Sequence, residues 1–232
     1  DLASVTKVVA TTTAAMICYD RKLISLDDKV VKYIPEFGVN GKENIKIINL
    51  LLHNSGLPAW KKFYGRDLKY DDVINEIYSS EPEYKTEEKT VYSDLGIITL
   101  GKIIENVTDK SLDKFCEDEI FRPLEMNTTF YSPKDSLKKL CAPTEIDNYW
   151  RMKTLQGEVH DETSAMLNGV AGHAGLFSTA EDIAKLISVL MNKGKYRDVQ
   201  FIKQSTVELF TKRYSEESTR ALGWDTKSDS GS

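Results

Sequence analysis

In the stretch Asp1-Leu2-Ala3-Ser4-Val5-Thr6-Lys7-Val8-Val9-Ala10-Thr11-Thr12-Thr13-Ala14-Ala15-Met16-Ile17-Cys18-Tyr19, Lys7 is the lone charge after Asp1. No Gly or Pro interrupts it, and its small and β-branched residues predict one largely buried helix from Ser4 to about Tyr19. Ser4 and Lys7 are three apart, which puts them on one helix face with roughly 5–6 Å between their Cβ atoms. A hydroxyl needs a base to become a nucleophile, and a lysine held neutral in an apolar site can be that base. An unpaired lysine on a buried helix is costly unless its pKa falls or a specific partner holds it. The alternative is a capping serine beside a lysine that snorkels to solvent.

The same spacing recurs at Ser111/Lys114 and Ser136/Lys139. Those pairs sit among Asp113, Glu117 and Asp118, or among Lys134, Asp135 and Lys138, where a helix cap and a solvated lysine explain them. Context therefore singles out Lys7.

The 232 residues allow one large domain or two small ones, and 41% apolar content is enough for a sizeable core. Lys plus Arg number 31 against 36 Asp plus Glu, a net charge of −5. That balance excludes a basic nucleic-acid surface and a polybasic membrane surface. The longest weakly polar run, Val8 to Tyr19, is too short for a bilayer. No leader pattern is visible from Asp1 onward. Cys18, Cys116 and Cys141 are far apart and odd in number, so they read as buried free thiols rather than a disulfide framework.

Helical signals dominate the rest. Ser25 opens Leu26 to Tyr33, Asn44 to Leu52 is a short apolar segment, and Asp71 to Tyr78 is amphipathic. Asp94 is expected to cap a strong helix carrying Ile97, Ile98, Leu100, Ile103 and Ile104, and Ser111 to cap the next. Capping boxes are expected at Ser178/Glu181 and Ser205/Glu208. The stretches 80–92 and 141–176 read as irregular chain with at most short strands.

Tyr92-Ser93-Asp94 places a phenol just before a helix start, where it can aim at a nucleophile and shuttle a proton; a core tyrosine and a capping aspartate are the plainer reading. Gly169-Val170-Ala171-Gly172-His173-Ala174-Gly175 has neither the dinucleotide nor the phosphate-loop pattern, and its glycines imply close-packed backbone. His53, His160 and His173 lack metal-ligand spacing, and His160-Asp161-Glu162 reads as a polar loop. No Gly-x-Ser-x-Gly elbow is present, which disfavours an α/β-hydrolase triad.

Six segments, in order, resemble the serine β-lactamase and penicillin-binding protein superfamily. They are Asp1-Leu2-Ala3-Ser4-Val5-Thr6-Lys7, Leu51-Leu52-His53-Asn54-Ser55-Gly56-Leu57-Pro58 and Tyr92-Ser93-Asp94-Leu95-Gly96. Then come Arg122-Pro123-Leu124-Glu125-Met126, Ala171-Gly172-His173-Ala174-Gly175-Leu176-Phe177-Ser178-Thr179-Ala180 and Ala221-Leu222-Gly223-Trp224. The likeness is greatest to the class C β-lactamase-related group, which also holds D-alanyl-D-alanine carboxypeptidases and esterases. It spans essentially the whole chain.

The resemblance implies an α+β β-lactamase/transpeptidase-like fold and a serine hydrolase acting through an acyl-enzyme. It makes Ser4 the nucleophile, Lys7 its proton acceptor and Tyr92 the phenol that assists acylation and deacylation. The backbone N–H of Ser4 becomes one arm of the oxyanion hole, and Asp94 and His173 fall on the substrate side, His173 as structure or rim. It implies a small-molecule or peptide substrate (a β-lactam, a D-Ala-D-Ala-type peptide or a small ester), no metal or organic cofactor, and a location in the cell envelope.

Two departures stand out. Position 94 is Asp where the family motif usually ends in Asn, so an acceptor replaces a donor and would repel an anionic substrate. The family's third motif, Lys-Thr-Gly or His-x-Gly, is absent after Trp224. Residues 1–232 are therefore expected to be a partial domain truncated at both ends, mainly the helical part of the fold and lacking most of its central antiparallel sheet. One face of the Ser4 helix is then expected to lack its packing partner. The competing readings are a non-catalytic module that binds cell-wall peptide or a protein partner, and a plain helical scaffold.

Overall fold

The computed structural model describes residues 1–228; the tail 229–232 lies outside them. The Ser4 run is helical throughout but wound in three ways. Ala3–Val5 is a 3₁₀ turn, Lys7–Thr12 a π-helical stretch and α1 (Thr13–Asp20) an α-helix. Thr13 Oγ1 donates to the Val8 carbonyl at 2.9 Å, so a hydroxyl serves a carbonyl that the widened turns release.

The chain continues through α2 (Ile47–Leu51), α3 (Tyr70–Tyr78), α4 (Asp94–Thr108) and α5 (Leu112–Cys116). Beyond these lie β1 (Phe130–Tyr131), α6 (Asp135–Lys138), β2 (Pro143–Asp147), β3 (Lys153–Gln156) and α7 (Glu162–Met166). The last elements are β4 (Leu176–Phe177), α8 (Ala180–Met191), β5 (Lys195–Tyr196), β6 (Val199–Gln200) and α9 (Gln204–Thr211). Among the described residues the strands form only antiparallel pairs, β1 with β4, β2 with β3 and β5 with β6. The helical part of an α+β fold is what these elements amount to.

α4 is the central post. Leu95, Ile97, Ile98, Leu100, Ile103 and Ile104 are all buried, and the helix packs against α1, α2, α3 and α5. Burying each such side chain stabilises the fold by roughly 1.5–3 kcal/mol, an upper figure since the unfolded chain is itself partly collapsed. Part of the Ser4 helix is bare, with Val5 44% exposed and Val8 half-buried, but the remainder is covered. Val9, Ala10, Ala14, Ala15, Met16 and Ile17 are buried, with α1 packed between α4 and α9.

Several local expectations shift. The cap of α4 is Ser93, one residue before the expected Asp94: its Oγ accepts from Gly96 N. The box at Ser178/Glu181 gives way to Thr179, which caps α8 by accepting from Asp182 N; Asp182 then turns its carboxylate to Thr128 and Thr129. α9 begins at Gln204 with no side-chain cap, so Ser205/Glu208 makes no box. Ser111 stands at the cap position of α5 but makes no side-chain cap bond, and Glu105 Oε1 accepts from the first helical N–H, Leu112 N, at 2.9 Å. Ser25 to Tyr33 contains only the 3₁₀ turn Val30–Lys32, since Asp28 ties the Ser25 N–H and the Tyr33 hydroxyl into a turn. Cys18 and Cys116 are buried, but Cys141 is only half-buried.

Candidate active site

The residues before Lys7 are pinned from both sides. Leu2 N donates to the Leu176 carbonyl (2.8 Å), and Leu176 N donates to Thr6 Oγ1 (3.1 Å). Asp1 accepts from Ala3 N and from His160 N, each at 2.6 Å. Ala3 adopts φ +45°, strained for a residue with a Cβ, directly before Ser4. These ties leave Ser4 exposed at the start of the helical run while Lys7 is 3% exposed.

Lys7 Nζ donates to Ser4 Oγ at 2.8 Å and to the His173 carbonyl at 3.2 Å. It also lies 2.7 Å from Asp94 Oδ1, an ion pair made without hydrogen-bond alignment at that oxygen. Asp94 is thus the partner that the buried lysine requires. The ring of Tyr92 sits 4.7 Å from the same ammonium.

Tyr92 arrives from the segment before α4 and is held by two residues far away in sequence. Its ring packs on His53 with centroids 4.7 Å apart, and the Arg220 guanidinium lies 5.2 Å from it. His53, at φ +55°, accepts from Ser93 N through Nδ1 at 3.0 Å. Burial, and then the charges of Arg220 and Lys7, push the His53 imidazole down to about 3, so it is a neutral acceptor at ordinary pH.

The Gly-rich loop brings His173 to the site by its backbone. Gly172 passes so near α4 that an added Cβ would lie 2.3 Å from the Ile97 carbonyl oxygen, and Thr11 Oγ1 donates to Gly172 O at 2.6 Å. The His173 ring is buried, with Nε2 2.8 Å from Asp161 Oδ1 and Nδ1 without a partner. Its ring thus pairs with Asp161 while its carbonyl accepts from Lys7. Asp161 is more than the polar loop residue expected: it caps α7 by accepting from Ser164 N at 2.7 Å. Burial raises its carboxyl, but the His173 ring, the Ser164 N–H and Lys7 outweigh this and pull it down to about 2.

Ser4, Lys7, Tyr92, Asp94 and the His173 carbonyl therefore meet at one ammonium group. His53, Asp161 and Arg220 had no assigned role in the sequence. Their only signals were the quoted His53 segment and the acidic run beside His160; for Arg220 there was none. Among the described residues no group of three His, Cys, Asp or Glu is arranged to hold a metal ion, and no helix is long and apolar enough to cross a membrane.

A family model described as Beta-lactamase matches residues 1–232. This chain belongs to the Beta-lactamase family. It is 39% identical to the "N-acetylmuramyl-L-alanine amidase" of Bacillus subtilis (strain 168) over 251 aligned positions, covering 97% of this chain and 57% of that protein. It is 35% identical to the "Putative D-alanyl-D-alanine carboxypeptidase" of Escherichia coli (strain K12), covering 97% and 58%. The chain thus spans somewhat under three fifths of the length of these relatives. In fold, this family member is similar to a Beta-Lactamase/D-Alanine Carboxypeptidase from Pseudomonas syringae, with a TM-score of 0.76 at 18% identity over 99% of this chain and 61% of that one. It is also similar to the octameric penicillin-binding protein homologue from Pyrococcus abyssi, with a TM-score of 0.72 at 22% identity over 95% and 52%.

Proposed function

We propose that this chain carries the acylating centre of a serine hydrolase, with Ser4 as nucleophile. The observation that supports the reading best is the 2.8 Å contact between Lys7 Nζ and Ser4 Oγ, made by an otherwise buried lysine. In its neutral form Lys7 takes the Ser4 proton as Ser4 Oγ bonds to the carbonyl carbon of the substrate. The Ser4 N–H, at the start of the helical run, is one donor to the resulting oxyanion. The Tyr92 phenol passes a proton to the leaving nitrogen or oxygen as its bond to carbon breaks. Lys7 passes the Ser4 proton on to Tyr92, and water then cleaves the acyl ester, one of its protons going to Ser4 Oγ and its hydroxyl to the acyl carbon.

The substrate class is an amide, ester or β-lactam carbonyl in cell-wall-type peptides. Both relatives carry names that describe cleavage of an amide bond at an alanine, and we extend that chemistry to this chain. The carboxylate of Asp94 disfavours anionic β-lactams relative to neutral esters and amides.

One observation favours a second reading, a non-catalytic module that binds such peptides without turnover. Asp94 Oδ1, 2.7 Å from Lys7 Nζ, stabilises the ammonium, which is not a base.

Intact-protein mass spectrometry after exposure to a fluorophosphonate and to a penicillin separates the two. The hydrolase reading expects a covalent adduct that Ser4→Ala abolishes and Lys7→Ala slows by at least a hundredfold. No adduct, or one indifferent to Ser4→Ala, removes it.

A further inference from the structure

The turn that carries Arg220 is fastened to the elements on which the site is built. Gly223 N donates at 2.9 Å to the carbonyl of Leu51, two residues before His53, and Leu222 N donates at 3.1 Å to the Phe210 carbonyl of α9. Gly223 has φ +79°, and a Cβ there would lie 2.2 Å from Oγ1 of Thr12, on the π-helical stretch that carries Lys7. Ala221 N closes the turn on the Trp224 carbonyl (3.0 Å), and Thr226 N closes it on the Thr219 carbonyl (2.8 Å). Ala221 and Leu222 are fully buried, so the Arg220 side chain leaves from anchored backbone.

Two cations meet at the ring of Tyr92. The Lys7 ammonium lies 4.7 Å from its centroid and the Arg220 guanidinium 5.2 Å. Like charges repel, and Lys7 has a close counter-charge in Asp94 at 2.7 Å. Arg220 does not: Asp225 Oδ2 is 3.8 Å away, too far for a hydrogen bond, and that carboxylate is more than half exposed. Water screens an exposed pair, so positive charge remains beside the phenol. The same charge reaches the neighbouring imidazole, where Arg220 is the largest influence after burial holding His53 down.

A fixed positive charge beside an oxygen that gives up a proton favours the negative charge left behind. In the hydrolase reading that oxygen is the Tyr92 phenol. As the bond from the carbonyl carbon to the leaving oxygen breaks, its electron pair goes to the leaving oxygen, which takes the phenol proton. The electron pair of the phenol O–H bond stays on the Tyr92 oxygen until Lys7 returns a proton. We propose that Arg220 is a positioning residue for Tyr92, holding the phenol beside Lys7 and offsetting this transient negative charge, and so setting how basic a leaving group the site can expel. The effect on leaving groups rests on the hydrolase reading; the hold on Tyr92 does not.

The test compares kcat/KM for two neutral esters of one acid, an alkyl ester and the para-nitrophenyl ester, because kcat/KM covers the steps from free enzyme through acylation. An alkoxide needs a proton to leave, whereas nitrophenolate leaves without one. Arg220→Met should slow the alkyl ester about tenfold, equivalent to about 1.4 kcal/mol and within the range of one cation–π contact. The nitrophenyl ester should slow far less. Arg220→Lys should restore most of the loss, and in Tyr92→Phe protein Arg220→Met should have no further effect. Equal slowing of both esters, no rescue by lysine, or an undiminished loss in Tyr92→Phe protein overturns the proposal, as does a loss seen only with an ester that carries a carboxylate.

Urea unfolding of Arg220→Met, Tyr92→Leu and the double variant reads the contact without turnover, and non-additive losses are expected. Additive losses overturn the proposal whatever the esters show. Non-additive losses with no fluorophosphonate adduct at Ser4 remove the hydrolase reading alone and still support Arg220 as the residue that holds Tyr92.

Discussion

Asp94 Oδ1 stands 2.7 Å from Lys7 Nζ, and the two side chains are 26% and 4% exposed. The pair is buried at one end and wet at the other. Removing one partner of such a pair leaves the other charge poorly solvated, whereas removing both is far less costly. Asp94→Asn should therefore destabilise the protein by about 1–3 kcal/mol, less than for a fully buried pair because water reaches the carboxylate. Adding Lys7→Met should recover most of that loss. Urea unfolding of the two single variants and the double variant measures the coupling. Additive losses would show that the ammonium does not depend on Asp94.

His53 gives the folded state a distinct pH signature. Its imidazole titrates at about 3 when folded, against about 6.5 when unfolded. Below pH 6.5 the unfolded chain binds a proton that the folded chain refuses, so stability falls as pH drops, and it goes on falling to about pH 3. At pH 5 the loss should be about 2 kcal/mol relative to pH 7. Asp161, held near 2, contributes stability that is complete above about pH 4 and lost only below it, so it does not enter this window. His53→Gln keeps an acceptor for the Ser93 N–H but cannot titrate. Its unfolding free energy should lose most of that slope between pH 7 and 5, and a slope equal to that of the parent would refute the assignment.

The sequence disclosed what short-range geometry controls. Ser4 and Lys7 are three apart on a helical run, and they meet at 2.8 Å even though the run is partly π-wound. The burial of α4 was equally legible, because Leu95 to Ile104 is apolar almost throughout, the mark of a helix buried nearly all round. Capping residues were found only to within one position at Ser93 and Thr179, where two adjacent hydroxyl or carboxyl side chains compete for the same N–H groups. Spacing alone did not join Tyr92 and Asp94 to Lys7; the resemblance did. His53, Asp161 and Arg220 escaped altogether, since each acts through a contact between loops that no local period encodes. The packing of α9 on α1 was likewise illegible, because the two helices are far apart in the chain.

Gly172 couples this packing to the site. Its backbone φ is not in the left-handed region, so any cost of a side chain there is steric. An alanine Cβ would stand 2.3 Å from the Ile97 carbonyl oxygen and 3.3 Å from Thr11 Oγ1. Backbone cannot turn aside as a flexible side chain can, so the loop must move off α4. Gly172→Ala should cost roughly 1–3 kcal/mol, the usual range for overpacking. The displaced segment includes the His173 carbonyl, which accepts from Lys7 Nζ at 3.2 Å. Fluorophosphonate labelling of Ser4 should therefore slow, even at temperatures where the variant is fully folded by circular dichroism. The neighbouring substitution Val170→Ala, at a half-buried position on the same loop, should leave the labelling rate near that of the parent. Equal slowing in the two variants would mean that general loosening of the loop, rather than the place of one carbonyl, governs reactivity.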